Sequence, residues 1–412
     1  MRVPVSADMA ATSYAARAAE IARSCVHCGF CNATCPTYQL TGDELEGPRG
    51  RIYLIKSLLE DGAPGSDTRR HLDQCLVCRN CETTCPSGVR YGELVELVRP
   101  AVLRATPTPW REGLLRWGLL RVVPYPRRFA ALLGLGRAVR PLLPARLAAL
   151  VPRPLDTPAA SPPATVRSTR RVLLLGGCVQ PVLNPGIDAA ARAVFARLDI
   201  ELVTLAASGC CGALAHHLGD EDRARAQARA NIDAWWPHVE AGAEAVMASS
   251  SGCGVQLKSY ARLLADEPGY AARAQAIEAR VRDPLELVDG ERLAALVDAG
   301  DTGAVAVQAP CTLQHGQRLG GRLEALLRQL GFTLAPVAEA HLCCGSAGSY
   351  SLFHAATARA LRERKLGHLL AAAPAVVVTA NIGCQSHLAA TAPVPVRHWL
   401  ELVAARLVAT SP

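Results

Sequence analysis

Eight of the sixteen cysteines in this 412-residue chain fall into two short stretches, "SCVHCGFCNATCP" (24–36) and "QCLVCRNCETTCP" (74–86). Each sets four thiols in a C-x2-C-x2-C-x3-C-P frame, the copies 50 residues apart. Three thiolates spaced by two residues in a tight loop can converge on three corners of an iron–sulfur cube, while the fourth, followed by proline, serves the other cube. The frame therefore predicts cluster I on Cys25, Cys28, Cys31 and Cys85, and cluster II on Cys75, Cys78, Cys81 and Cys35. Pro36 and Pro86 shape the turn after each crossing ligand. Zinc competes less well, because zinc knuckles pair two cysteines across a longer gap and the middle thiol of each triplet would have no use. Two [4Fe-4S] clusters with every position ligated by protein suit electron relay rather than catalysis. His27 and Arg79 sit inside the loops, either as groups that tune the sulfurs or as solvated loop residues.

The other eight cysteines form a repeat. Cys178, Cys210, Cys211 and Cys253 recur as Cys311, Cys343, Cys344 and Cys384, at separations of 133, 133, 133 and 131 residues. Each landmark ends a short aliphatic run: "RRVLLLGGC", "IELVTLAASGCCG" and "AEAVMASSSGC", then "GAVAVQAPC", "FTLAPVAEAHLCCG" and "AVVVTANIGC". Runs of this length alternating with helical patterns predict parallel α/β units. Ligands bind outside the carboxyl ends of such strands, so the thiols of each half can converge on a metal or cluster. Gly212 and Gly345 follow the paired cysteines, where a small residue would let the backbone approach a bulky ligand. A vicinal disulfide switch and inert buried thiols are the competing readings.

No residue constellation marks a catalytic site. "GLGRAV" (134–139) lacks the third glycine, the preceding strand and the downstream acid of a dinucleotide fingerprint, and there is no P-loop or G-x-S-x-G elbow.

Elements that position these thiols can be read from the rest. Residues 8–23, 46–62 and the stretch after Cys85 have helical spacing, with Tyr91, Leu94, Val95 and Val98 on one face. Residues 1–104 are thus expected to be helical. Residues 105–170 hold a basic helical segment and a Pro-rich linker (151–170), and the repeats occupy 171–290 and 291–412. Formal charge is +8, and between Arg99 and Arg153 eleven arginines face one acid, Glu112. Without a nucleic-acid-binding motif this block excludes DNA or RNA as the expected partner. It suits an amphipathic segment on an anionic membrane or an acidic partner, or else surface helices with snorkelling arginines. No run reaches the ~18–20 apolar residues of a membrane span, and no export signal is visible, so reduced thiols and a cytoplasmic place are expected, with a peripheral seat at the inner membrane open to the basic segment.

Twin C-x2-C-x2-C-x3-C-P frames, with two C…CCG…GC repeats behind them, resemble the iron–sulfur subunits of glycolate oxidases over nearly the whole chain. "GPRGR" (47–51) looks like the stretch just after the first cluster in this group. The wider group includes the corresponding subunits of anaerobic glycerol-3-phosphate dehydrogenase, lactate-utilisation proteins and heterodisulfide reductase. The resemblance implies an α+β chain: an N-terminal all-α helical ferredoxin-like domain with two [4Fe-4S] clusters, then a duplicated α/β cysteine-rich (CCG) domain. It further implies an oxidoreductase subunit relaying electrons to a quinone-type acceptor from a separate FAD-binding subunit that oxidises glycolate to glyoxylate. Lactate, glycerol-3-phosphate and a heterodisulfide-reductase-like catalyst are the alternatives. The fifth thiolate of noncubane cysteine-rich sites is missing, since Gln256 and His387 stand there. This leaves zinc, a smaller cluster or no metal open, with His387 the candidate replacement ligand in the second half.

Overall fold

The computed structural model describes residues 1–65, 67–144, 148, 151–155 and 168–408. The first hundred residues are helices joined by cysteine loops, with no strand among the described residues. The expected helix over 8–23 is broken into Ala7–Ala10, capped by the Ser6 side chain, and Ala15–Arg23. Pro48–Asp61 starts with proline in its first turn, where no N–H is missed, and stops at Gly62 in the left-handed region. In Tyr91–Ala105 the predicted face is buried as Tyr91, Leu94, Val95 and Val98. These side chains meet Ala18, Ala22, Ile55 and Leu59 in a core that reaches Cys25, Cys75 and Cys81. Each buried aliphatic stabilises by about 1.5–3 kcal/mol, so the core fixes the loops before any cofactor is considered.

Residues 110–142 form two helices, Trp110–Val122 and Pro126–Val139, and a 3-10 turn, Arg140–Leu142. No residue of the first is buried. No helix among the described residues is long and apolar enough to cross a membrane. Most of the expected linker, 156–167, lies outside the described residues.

The first repeat has four parallel strands in the order β2-β1-β3-β4: β1 (Arg170–Leu174), β2 (Ile200–Val203), β3 (Ala245–Met247) and β4 (Val281–Arg282). Val172 sits in register with Leu202 on one side and Ala245 on the other. The second repeat has three parallel strands in the order β5-β6-β7: β5 (Val305–Gln308), β6 (Val376–Thr379) and β7 (Val396–His398). The strand expected within 332–345 is reduced to a single bridge, Val305 to Leu334. Pro336 lacks the N–H needed to extend it. Conversely, β4 and β7 went unpredicted, being only two and three residues long. Each leads into a short helix through a capping box, Asp283 with Glu286 and His398 with Glu401. The repeats share one core, in which Ile187, Val194 and Phe195 of the first pack with Val307, Val378 and Trp399 of the second.

Candidate iron–sulfur and thiol sites

All sixteen cysteines stand as free thiols. In the N-terminal domain they gather in two groups of four. Cys25 has Cys85 and Cys28 as its thiol neighbours, and Cys31 has Cys25, Cys35 and Cys85. Cys78 and Cys81 have Cys35 and Cys75. Cys85 thus stands beside Cys25 and Cys31 of the first loop, while Cys35 lies between the loops, beside Cys31 of the first and Cys78 and Cys81 of the second. Burial first, then these like charges, push the Cys31 thiol up to about 11 and those of Cys78 and Cys81 well above the usual range. Crowded in this way the thiols stay protonated on their own, and a cationic centre is what would let them ionise together.

The loop backbone explains how they crowd. His27, Val77 and Arg79 have φ of 57°, 50° and 60°, and Gly29 takes the position equivalent to Arg79 at 83°. A left-handed residue costs roughly 1–2 kcal/mol outside glycine. Here it turns main-chain N–H groups onto sulfur: Val77 donates to Cys75 Sγ at 3.4 Å, His27 to Cys25 and Asn80 to Cys78. Cys35 and Cys85 both precede proline and share extended geometry, φ/ψ of −81°/116° and −77°/115°. Convergent thiols, inward N–H donors and a crossing fourth cysteine fit a pair of [4Fe-4S] cubes.

Neither His27 nor Arg79 is a free loop residue. Arg79 pairs with Glu96 at 3.1 Å, and His27 Nε2 lies 2.8 Å from Met1 Sδ.

Sequence reasoning noticed "GPRGR" without a reason for it. Arg51 is 1% exposed and donates to Glu46 Oε2 (2.6 Å), the His71 carbonyl (2.7 Å) and Thr37 Oγ1 (3.2 Å). Thr37 Oγ1 lies 3.3 Å from Cys35 Sγ, and the guanidinium has Cys75 and Cys35 among its charged neighbours. Arg49 donates to Glu44 and the His27 carbonyl, bracing the first loop. A Cβ at Gly50 would lie 2.2 Å from the Glu44 carbonyl oxygen, so only glycine fits.

In the first repeat Cys178, Cys210, Cys211 and Cys253 form a chain of thiol contacts. Hydrogen bonds from Cys178 and Cys211 draw the Cys210 thiol down, while the same bonds push Cys178 and Cys211 up. In the second, Cys311 Sγ lies 3.9 Å from Cys343 Sγ, and Cys344 Sγ lies 3.2 Å from Cys384 Sγ. Hydrogen bonds join the repeats beside these sites: Ser251 Oγ to Thr312 Oγ1 at 2.7 Å and Ser250 Oγ to Asn381 Oδ1 at 3.4 Å. All eight repeat cysteines line one cavity of about 1930 Å³.

Two details bear on the expectations for these repeats, and a third is new. Gly212 and Gly345 (φ +92° and +89°) let the chain turn against a helix rather than against a ligand; a Cβ there would lie 3.2 Å from Ala224 O and 2.5 Å from Ala358 O. His387 places Nε2 3.2 Å from Ala358 O, and burial drives its imidazole down to about 4. The halves also differ in charge. Lys365, 2% exposed, donates to the Glu339 and Ala340 carbonyls (3.0 and 2.9 Å) and has all four second-repeat cysteines as charged neighbours. In the corresponding helix of the first repeat Asn231 donates to the Cys210 carbonyl at 2.9 Å. The second thiol set has a buried cation behind it and the first has an amide.

The two regions touch. Leu76, Cys78, Cys311, Cys343 and Tyr350 share one apolar cluster. Around it Asn80 donates to the carbonyls of Thr34 (3.0 Å) and His341 (3.2 Å), and Thr83 bonds His315 at 2.9 Å.

Residues 21–89 match the 4Fe-4S dicluster domain family, and 172–258 and 305–389 each match the cysteine-rich (CCG) domain family. The chain is 48% identical to the glycolate oxidase iron–sulfur subunit of Escherichia coli K12, over 98% of both chains. It belongs to the glycolate oxidase iron–sulfur subunit family. A probable member from Bacillus subtilis is 29% identical over 88% of this chain and 87% of its own. A lactate utilization protein A from Shouchella clausii is 27% identical, but over only 52% of this chain and 87% of its own. The fold is similar to the crystal structure of a hypothetical protein from Helicobacter pylori (TM-score 0.56, 8% identity, 89% of this chain and 68% of that one). For a member of the glycolate oxidase iron–sulfur subunit family, then, the dicluster and cysteine-rich parts are assembled into one body through the Cys78 cluster. Arg51, Lys365 and Asn231 are the supporting residues the sequence reading missed. A basic residue in mid-helix, on the face that Ala358, Leu361 and Leu369 bury, is the signal that would have found Lys365.

Proposed function

We propose that the chain is the electron-relay subunit of a glycolate-oxidising complex, in which a separate FAD-binding subunit converts glycolate to glyoxylate and a lipid quinone is the final acceptor. Cys25, Cys28, Cys31 and Cys85 would hold one cluster, and Cys75, Cys78, Cys81 and Cys35 the other. A [4Fe-4S] cluster, when bound, takes up and releases one electron at a time. The chain's own residues do the rest: the loop N–H groups favour the anionic sulfurs, Arg51 sets a positive charge behind the second group, and the helical core excludes water.

The observation that carries this reading is the line of thiol sets. Cys28 is exposed, between Val26 and Phe30, which are 66% and 61% exposed. This face suits a flavoprotein partner. From there the first set leads to the second, and the second abuts Cys311 and Cys343 at the common cavity. Divided at 104, 170 and 290, the chain has one domain for the clusters, a basic connector and two thiol repeats. The connector would seat the complex peripherally on the inner face of the membrane. Glycolate is favoured over lactate because the glycolate oxidase relative matches throughout, whereas the lactate utilization protein matches about half of the chain.

Anaerobic affinity purification from the native host, coupled to dye-linked assay with 2-hydroxy acids and glycerol-3-phosphate, tests the proposal. A co-purifying flavoprotein with glycolate as preferred donor is expected. Absence of a flavoprotein, or turnover by the flavin-free chain, would overturn it.

A further inference from the structure

We infer that the helical hairpin 110–142 is a docking element for an anionic bilayer surface. Thirteen large hydrophobic side chains are exposed among the described residues, and eight of them lie in this one segment. Trp117, Leu135 and Leu142 are 59%, 62% and 86% exposed. A helix of a soluble domain buries an apolar stripe, yet no side chain of Trp110–Val122 is fully buried and its Leu119, Leu120 and Val122 are only half-buried.

Charge identifies the occupant. Arg111, Arg121, Arg127 and Arg128 are exposed on the same segment. Three of them stack on its aromatics: Arg111 on Trp110 (5.4 Å), Arg121 on Trp117 (5.8 Å) and Arg128 on Tyr125 (4.4 Å). The single acid, Glu112, is held by Arg69 (2.7 Å) and Arg116 (2.8 Å), so it does not offset these cations. Exposed aromatic rings paired with arginines, with exposed leucines along the same segment, match the headgroup boundary of a bilayer rich in anionic lipid. The exposed apolar side chains beside Cys28, Val26 and Phe30, belong to the first cysteine loop and carry no cation–π pairs of this kind, which leaves a protein partner its own segment.

Four of the eight, Trp110, Leu114, Leu115 and Leu132, also line the mouth of the cavity that holds the repeat cysteines, together with Leu119 and Val122. Docking would lay that cavity against the hydrocarbon boundary, where a lipid-soluble acceptor resides; this last step rests on the relay reading, but the docking itself does not.

The test is flotation of the anaerobically purified full chain with phosphatidylcholine vesicles, with and without phosphatidylglycerol. Binding is expected only with phosphatidylglycerol, weakening as salt rises. The double substitution Trp117→Ser/Leu135→Ser should weaken it roughly tenfold or more, since two apolar side chains leave the lipid. Arg127→Gln/Arg128→Gln should remove most of its salt sensitivity. Brominated lipid should quench wild-type tryptophan fluorescence more than that of Trp117→Phe. Failure to float with phosphatidylglycerol, undiminished flotation of Trp117→Ser/Leu135→Ser, or protection of the hairpin amides by a partner subunit in lipid-free complex would each overturn docking. Dye-linked glycolate turnover reads the relay alone and should be unchanged in Trp117→Ser/Leu135→Ser, because neither side chain lines the cavity.

Discussion

Cys78 of the second cysteine loop and Cys311 of the second repeat are electrostatic neighbours within a single apolar cluster. Two regions more than two hundred residues apart in sequence therefore place sulfur beside sulfur. The hydrogen bond to Cys343 and burial hold the Cys311 thiol well above its usual range, so it is a neutral thiol in the free chain and a thiolate only as a metal ligand. As a ligand thiolate it makes reduction of the neighbouring cluster harder, since the added electron meets a like charge in a poorly screened interior, and replacing Cys311 with serine removes that thiolate. The cluster on Cys75, Cys78, Cys81 and Cys35 should then reduce at a higher potential in an EPR-monitored titration, with the other cluster unmoved. Cys178→Ser, the counterpart in the first repeat, should shift neither, and equal shifts from both substitutions would refute the contact.

Crossed ligation makes a separate prediction. Cys85 stands with the thiols of the first loop although it lies in the second, and Cys35 stands beside Cys78 and Cys81 of the second. Cys85→Ala should deplete the cluster of the first loop and Cys35→Ala that of the second, each leaving about four of the eight irons of two cubanes. EPR of the dithionite-reduced protein distinguishes the survivors through their different surroundings, because only the second set has Arg51 behind it. Loss of the cluster in whose loop the mutated cysteine lies would mean that each loop closes its own cube.

Much of this was legible from spacing. The frames are local, eleven residues from first to last thiol, so spacing alone shows which thiols share a loop. The 133-residue repeat showed the duplicated α/β halves in the same way. What escaped was whatever depends on contact between distant segments. The shared core of the repeats, the Cys78–Cys311 contact and the common cavity leave no local periodicity. Arg51 read as one basic residue among many; it is a buried partner of Glu46 only because the chain folds back through Thr37 and His71. Gly345 was read as room for a ligand, whereas it makes room for the Ala358 carbonyl, thirteen residues on.

Arg51 supplies a third prediction, opposite in sign to the first. Its guanidinium pairs with Glu46 at 2.6 Å in the interior. Removing one partner of a buried pair costs about 3–5 kcal/mol, so Arg51→Met should lower the thermal midpoint markedly. It should also make the second cluster harder to reduce, because a cation beside Cys35 and Cys75 is gone. Arg51→Lys keeps the charge and loses the fork of donors. It should restore the potential while recovering only part of the stability, and recovery of both together would assign Arg51 a purely structural role.

His398 sets a pH dependence. It caps the helix Trp399–Ala404, accepting from Leu400 N–H while its own N–H donates to Glu401. The ring is fully buried, and that burial drives its pKa down to about 4. In the unfolded chain it titrates near 6.5. The native state thus holds a neutral ring while the unfolded state takes up a proton, so stability is complete above about pH 6.5 and falls as pH drops towards 4. The loss at pH 5 is about 2 kcal/mol from this residue alone. His398→Asn retains a capping side chain and carries no titrating group. Thermal unfolding of the anaerobic full chain at pH 7 and pH 5 should show a smaller drop in the variant than in the wild type, and an equal drop would move the effect to other buried groups such as His217, which burial also drives to about 4.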